Sequence, residues 1–193
     1  MRNIYERLDE LEAMMRDEGF RTNTGLGNEV GYYVFDYEPQ EELIVRERVK
    51  EIERSNTVER FGYELVIFDL YELILQLLKE EGVYEDLLTV EEEEGTEYAF
   101  EAISDVLRFN DEDSLIIQHI MENTPDESVV LLTGVGKCFP ILRSHKILNN
   151  LHQVMDHCPV IMLYPGRYTG NTLNIFGKVK DDNYYRAFPI VGK

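Results

Sequence analysis

The sequence is short of cysteine. Its two residues, Cys138 and Cys158, cannot build a disulfide framework and suit a reducing compartment. Long apolar runs are also missing, since no stretch reaches the ~18 consecutive apolar residues that a membrane span needs. The opening MRNIYERLDELEAMM is charged and periodic, with no short apolar segment of the kind a secretory signal carries. These absences predict a cytoplasmic protein with no membrane partner. Cations are scarce as well: 19 Lys and Arg face 38 Asp and Glu, a net charge of -19. That argues against a general nucleic-acid binder, because neutralising phosphate takes Lys and Arg.

The deficit is uneven. Residues 129–193 hold eight Lys or Arg and three Asp, a net of +5, so residues 1–128 carry -24. Three of the four histidines, His145, His152 and His157, also lie in the C-terminal third. Such a division suits two surfaces that meet different partners. A solvated acidic face that keeps a small protein soluble explains it more simply.

What is present alternates. Ile4, Leu8, Leu11 and Met15 recur at helical spacing over residues 2–18. A loop at 21–29 leads to an aromatic and β-branched strand near 31–36, and Pro39 opens a helix. Leu65 to Phe68 forms a second apolar strand, with Asp69 where an N-cap would sit and Gly82 closing the next helix. The acidic run VEEEEGTE (90–97) reads as a solvated turn, followed by helices at 97–108 and 112–123. Further strands are expected near 129–133 and 159–163, the latter ending in a Pro165-Gly166 turn, with a helix over about 141–156 between them. NTLNIFGKV and YYRAFPI then read as a hairpin tipped by KDDN. The expectation is one α/β domain over 1–193, a P-loop or Rossmann-like three-layer arrangement. Its mostly parallel sheet carries helices on both faces and a C-terminal hairpin at its edge, an arrangement that leaves room for a peripheral N-terminal helix (1–20). In such sheets ligands sit beyond the carboxyl ends of the strands, which places Asp36, Asp69, Gly134 and Tyr164 on one rim.

VVLLTGVGKCFP, residues 129–140, resembles a strand feeding a phosphate-gripping loop. A Walker A loop needs G-x-x-x-x-G-K-[ST], with backbone amides for phosphate, Lys for the terminal phosphates and Ser or Thr for magnesium. Aligning Gly136-Lys137 puts Leu131 at the first Gly and Cys138 at the Ser or Thr. Leu131 falls inside the strand and a thiol is a poor ligand for Mg²⁺. A tight glycine turn remains, whose glycines serve backbone angles first and an anion second. The other chemistry is thinner. GLG at 25–27 lacks a dinucleotide fingerprint's strand and third glycine. The three histidines are not at zinc-site spacing, and adjacent His157-Cys158 is poorly placed for a base and nucleophile. No metal, cofactor or catalytic residue is assigned. The last third gathers Tyr164, Tyr168, Phe176, Tyr184, Tyr185, Arg186 and Phe188. That composition suits an interface or a stacking platform, with core packing as the plain alternative.

Several motifs in order resemble the BrxB family of BREX phage-defence islands. They are Thr133-Gly134-Val135-Gly136, Phe139-Pro140, Arg143-Ser144-His145, Asn149-Asn150, Pro165-Gly166 and Tyr184-Tyr185-Arg186-Ala187-Phe188. BREX systems combine a DNA methyltransferase, a large ATPase, the phosphatase-like PglZ and small accessory components. The resemblance implies one of the last: a non-enzymatic adaptor in the defence complex, with a PglZ-like protein as partner. Nucleic acid would be reached only through the complex. The alternative is a degenerate nucleotide- or nucleic-acid-binding module of the same system. The candidate partner- or anion-binding residues are Gly134, Gly136, Lys137, Arg143, Ser144, His145, Tyr164, Tyr184 and Arg186. Arg143, expected in a first helical turn where the macrodipole prefers acids, should have an anionic partner. That partner is either a carboxylate of this chain, Asp36 or Asp69, or a group on another molecule.

Overall fold

The computed structural model describes residues 2–22, 31–111, 113–170, 172–177, 179–181 and 187–192. Four apolar segments form the main body of one sheet: β1 (Tyr32–Tyr37), β2 (Glu64–Asp69), β3 (Ser128–Thr133) and β4 (Val160–Tyr168). They lie in the order β2-β3-β4-β1 and all pair parallel, as their separation by helical segments predicts. A two-residue strand β7 (Phe188–Pro189) adds a parallel edge on β1.

Alternation along the strands builds two cores. Tyr32 and Val34 of β1, Val130 and Leu132 of β3, and Val160 and Met162 of β4 point to one face. There they meet α5 (Leu70–Glu80), α8 (Leu115–Glu122) and α10 (Ser144–Val154). Tyr33, Phe35, Val129, Leu131, Ile161 and Leu163 point to the other face. Against them pack α1 (Ile4–Arg16) and α3 (Glu42–Ser55) through Leu8, Leu11, Met15, Val45, Val49 and Ile52. The chain leaves β1 on the α3 side to reach the far edge, and leaves β2 and β3 on the opposite side. Connections therefore diverge near β1 and β4, where open sheets form a crevice at the carboxyl ends.

The caps follow the sequence. Asp69 Oδ1 accepts from the Tyr71 and Glu72 amides at 3.1 and 3.3 Å, and Gly82 closes α5 at φ +73°. Pro39 opens a single 3-10 turn that runs into α3.

Four local expectations change. First, the acidic run is not a turn. It is the end of α6 (Tyr84–Glu94), which Gly95 joins to α7 (Thr96–Val106). Leu87 supplies the buried anchor that continues helical spacing into the run. From Glu80 to Leu107 inclusive the chain has eleven Asp or Glu and no Lys, Arg or His, and every one of those acids is exposed. Glu91 to Glu94 thus crowd a helix C-terminus, where carboxylates oppose the macrodipole. Replacing both Glu93 and Glu94 with Lys is expected to stabilise the fold by about 0.6–2 kcal/mol, seen as a melting temperature higher by a few degrees in thermal denaturation.

Second, β4 does not stop at Pro165-Gly166 but runs to Tyr168. Pro165 still offers its carbonyl, which accepts from the Phe176 amide at 3.0 Å. A Cβ at Gly166 would sit 2.2 Å from the Asn174 carbonyl oxygen, so glycine lets β5 (Leu173–Ile175) approach.

Third, the hairpin is formed by β5 and β6 (Val179–Asp181) around Phe176 and Gly177. Both residues have positive φ, 53° and 66°, and Lys180-Asp181 of the expected tip lie in a strand. Phe188-Pro189 pairs with β1 rather than with β5.

Fourth, the helix expected from about 141 begins at Ser144. It follows the one-turn α9 (Val135–Cys138) and a cis Phe139–Pro140 bond.

Candidate functional site: the carboxyl rim of the sheet

Register brings the strand-end residues to one edge. Asp69 pairs across to Thr133 and Asp36 to Tyr164, so the carboxyl ends of β2, β3, β4 and β1 form a common rim. A cleft of about 330 Å³ opens there beneath α3. Val45, Val49, Ile67 and Leu163 supply its apolar lining. Arg46, Lys50 and Lys137 face Glu42, Glu53 and Asp69 around it. Tyr37 also lines it and donates to Glu42 Oε2 at 2.6 Å. Burial, and then that bond, push the phenol's pKa well above its usual range.

The glycine loop is built around a carboxylate of this chain. Gly134 has φ +74°, and a Cβ there would lie 2.2 Å from Asp69 Oδ1. Asp69 Oδ2 holds Lys137 Nζ at 2.7 Å, and Glu72 Oε1 lies 3.3 Å from the same ammonium. The ammonium also stands 5.3 Å from the centre of the Tyr71 ring. Burial pulls the Lys137 pKa down, but its bonds to Asp69 and Glu72 more than offset this, and the pKa is raised. The lysine that would reach a terminal phosphate is thus neutralised from within. Gly136 serves packing: a Cβ would meet Pro165 Cγ at 3.0 Å and the Phe176 ring at 3.2 Å. Leu131 is fully buried in β3. Cys138 is buried too, which pushes its thiol up to about 12, with Asp69 adding to the effect. Such a thiol stays protonated and is a poor nucleophile or metal ligand.

Arg143 is the residue before α10. It is exposed, and its side chain makes no capping bond. Neither expected internal carboxylate holds it: Asp36 is bridged to Arg7 and Asp69 to Lys137. Among the described residues Arg143 has no ion pair. Ser144 and His145 form the half-buried first turn of α10. Tyr164 and Tyr168 are buried, and the Tyr168 hydroxyl donates to the Ala187 carbonyl at 2.6 Å. Phe176 stacks edge-on against Phe139. Within the described part of the aromatic cluster Tyr164 and Tyr168 are packing while Phe176 and Phe188 stay exposed, whereas Tyr184, Tyr185 and Arg186 lie outside the described residues, as do Gly25 and Gly27. His152 stacks on Tyr32 and His157 is exposed. Among the described residues no group of three His, Cys, Asp or Glu could hold a metal ion, and no helix is long and apolar enough to cross a membrane.

One rim element escaped the sequence reading. Arg7 of α1 is buried against Asp36, with Nη2 3.1 Å from Oδ1. Asp36 Oδ2 accepts from the Tyr168 amide at 2.9 Å. The pair thus fastens the N-terminal helix to the end of β1 and to the extension of β4. A signal was present, because Arg7 falls three residues after Ile4 and beside Leu8 on the apolar stripe.

No solved structure matches the chain. The family model described as "BREX protein BrxB" matches residues 66–190. A BREX protein BrxB of Bacillus cereus (strain H3081.97) is 43% identical over 193 residues, the whole of both chains. A second, from Escherichia coli O9:H4 (strain HS), is 31% identical over 185 residues, 96% of this chain and 90% of the relative. With the motif order of the last third and full-length identity to these relatives in agreement, the chain belongs to the BrxB family of BREX phage-defence components.

Proposed function

We propose that the protein is a non-enzymatic, cytoplasmic adaptor in a BREX anti-phage complex, with a PglZ-like protein as its direct partner and the carboxyl rim as a contact surface. The observation that carries this reading is the internal closure of the loop. Lys137 is held by Asp69 and Glu72, so the loop that resembles a phosphate-gripping motif is spent on the fold. Arg143, exposed at the start of α10 and without an ion pair among the described residues, is available to meet an anion on another molecule. An exposed arginine is a common anchor at protein interfaces.

Arg143→Ala is therefore expected to leave stability within about 0.5 kcal/mol of the parent, as surface substitutions do. It should nonetheless cut the recovery of other BREX components in a pull-down from cells carrying the whole system, and lower phage protection. A variant that is stable and fully protective removes Arg143 from the contact surface. The same pull-down with the parent chain tests the PglZ-like partner directly.

The cleft beneath α3 favours a second reading, a degenerate nucleotide- or nucleic-acid-binding module, since Arg46 and Lys50 line it. A thermal-shift screen against ATP, GTP and short oligonucleotides separates the two. At a ligand concentration of 100 times Kd, stabilisation would be about 2.7 kcal/mol. No shift is expected under the adaptor reading. Nor is nucleotide turnover: magnesium-dependent ATP or GTP hydrolysis that vanishes in Lys137→Ala would overturn it.

A further inference from the structure

A second surface lies on the other side of the molecule from the α5–α10 layer. The outer faces of α1 and α3 form a groove of about 410 Å³. Its floor is Leu8, 1% exposed, and its walls carry Tyr5 at 58% and Leu43 at 75% exposure. Soluble surfaces scatter single apolar side chains freely, but a groove with two large exposed ones facing a buried floor marks a contact. The polar rim is uneven. Among the described lining residues Asp9, Glu47 and Glu51 stand there with one cation, Arg48, and Lys50 lies 3.6 Å from Glu47. Arg48 is already committed, held by Asp9, by Glu12 at 2.7 Å and by Glu51 at 3.3 Å.

We infer that this groove takes an amphipathic helix of a partner protein, one with apolar anchors on one face and Lys or Arg beside them. Resting on the adaptor reading, the inference adds a docking mode distinct from the rim at Arg143. Length fits: Leu43 to Glu51 on α3 spans about 12 Å at 1.5 Å per residue. A docked helix covers that distance with two or three anchors at i, i+3 or i+4, and i+7. Sign fits too. With Glu12 beside Arg48 and Lys50 beside Glu47, four carboxylates stand against two cations among the described residues, and the whole chain carries -19, so basic flanks are attracted and acidic ones repelled. A second copy of this chain, itself strongly acidic, is the less favoured occupant.

The test is photo-crosslinking in cells that express the complete system, with benzoylphenylalanine replacing Leu43. A control probe replaces Val154, exposed at 45% at the end of α10. The expected product joins position 43 to a helical, Lys- or Arg-flanked peptide of another component, at least tenfold above the control position. The variant Leu43→Glu should reduce co-purification of that component at least tenfold with an unchanged melting temperature. Crosslinks only to a second copy of this chain, or none above the control while components still co-purify, overturn the inference and leave the adaptor reading standing. If no component co-purifies with the parent chain, both fall.

Discussion

Replacing Arg7 with methionine is expected to lower the unfolding free energy by about 3–5 kcal/mol. For a domain whose total stability is on the order of 5–15 kcal/mol, that is a large share. The size follows from burial. The Arg7 and Asp36 side chains are 6% and 8% exposed, so neither charge can fall back on water. Arg7 also reaches the Val191 carbonyl at 3.5 Å and lies over the Phe35 ring, 4.7 Å from its centre. Removing the guanidinium takes away the Arg7 charge that faces the buried Asp36 carboxylate, and the desolvation cost of that carboxylate dominates the loss. Methionine keeps most of the volume, so a cavity contributes little. Adding Asp36→Asn to the variant should recover about half of the loss or more. The amide oxygen can still accept from the Tyr168 amide, and no charge remains to be compensated. Urea melts with a common m-value read both steps. A cost below about 1 kcal/mol for Arg7→Met would show that the pair is not held in a low-dielectric setting. A double variant no better than the single would show that the guanidinium acts through packing on Phe35 instead.

That pair also shows where local reading of the chain stopped. The four long parallel strands were legible because each is a short apolar run bounded by turn chemistry, and helical patterns between them force parallel pairing. Asp69 as an N-cap was legible for the same local reason. What could not be read were contacts between segments far apart in sequence. Pro165-Gly166 looks like a turn to any local rule. It is strand because Gly166 must admit the Asn174 carbonyl of β5. Arg143 looked like a first-turn residue in need of an anionic partner, inside the chain or on another molecule. The internal candidates, Asp36 and Asp69, were already bound, one to a residue near the chain's start and the other to the loop lysine. The acidic run looked like solvated turn because charge masked the helical spacing set by Leu87. The rim itself was predicted correctly, since strand ends follow from topology. The partners that neutralise it were not, because ion pairs across 29 and 68 residues leave no periodic trace.

Gly134→Ala is the second substitution expected to cost much, about 2–4 kcal/mol. Two effects add. A left-handed conformation at φ +74° costs a non-glycine residue roughly 1–2 kcal/mol. The new Cβ would also stand 2.2 Å from Asp69 Oδ1, which forces that carboxylate to move. Moving it breaks the cap on the Tyr71 and Glu72 amides, worth about 1 kcal/mol, and loosens the bridge to Lys137. The two effects separate in a double-variant cycle. Once Asp69→Ala has removed both the cap and the obstacle, Gly134→Ala should cost only the backbone share, about 1–2 kcal/mol. A coupling of about 1 kcal/mol or more therefore measures how far the glycine exists to seat an internal carboxylate. A glycine kept only to let a bound anion approach would behave differently. Without ligand, Gly134→Ala would then cost the backbone share alone, whether or not Asp69 was present. The cycle, read by denaturant melts of the ligand-free protein, thus decides between a loop turned inward on Asp69 and a loop held open for phosphate. The 2.7 Å bridge between Asp69 and Lys137 favours the first.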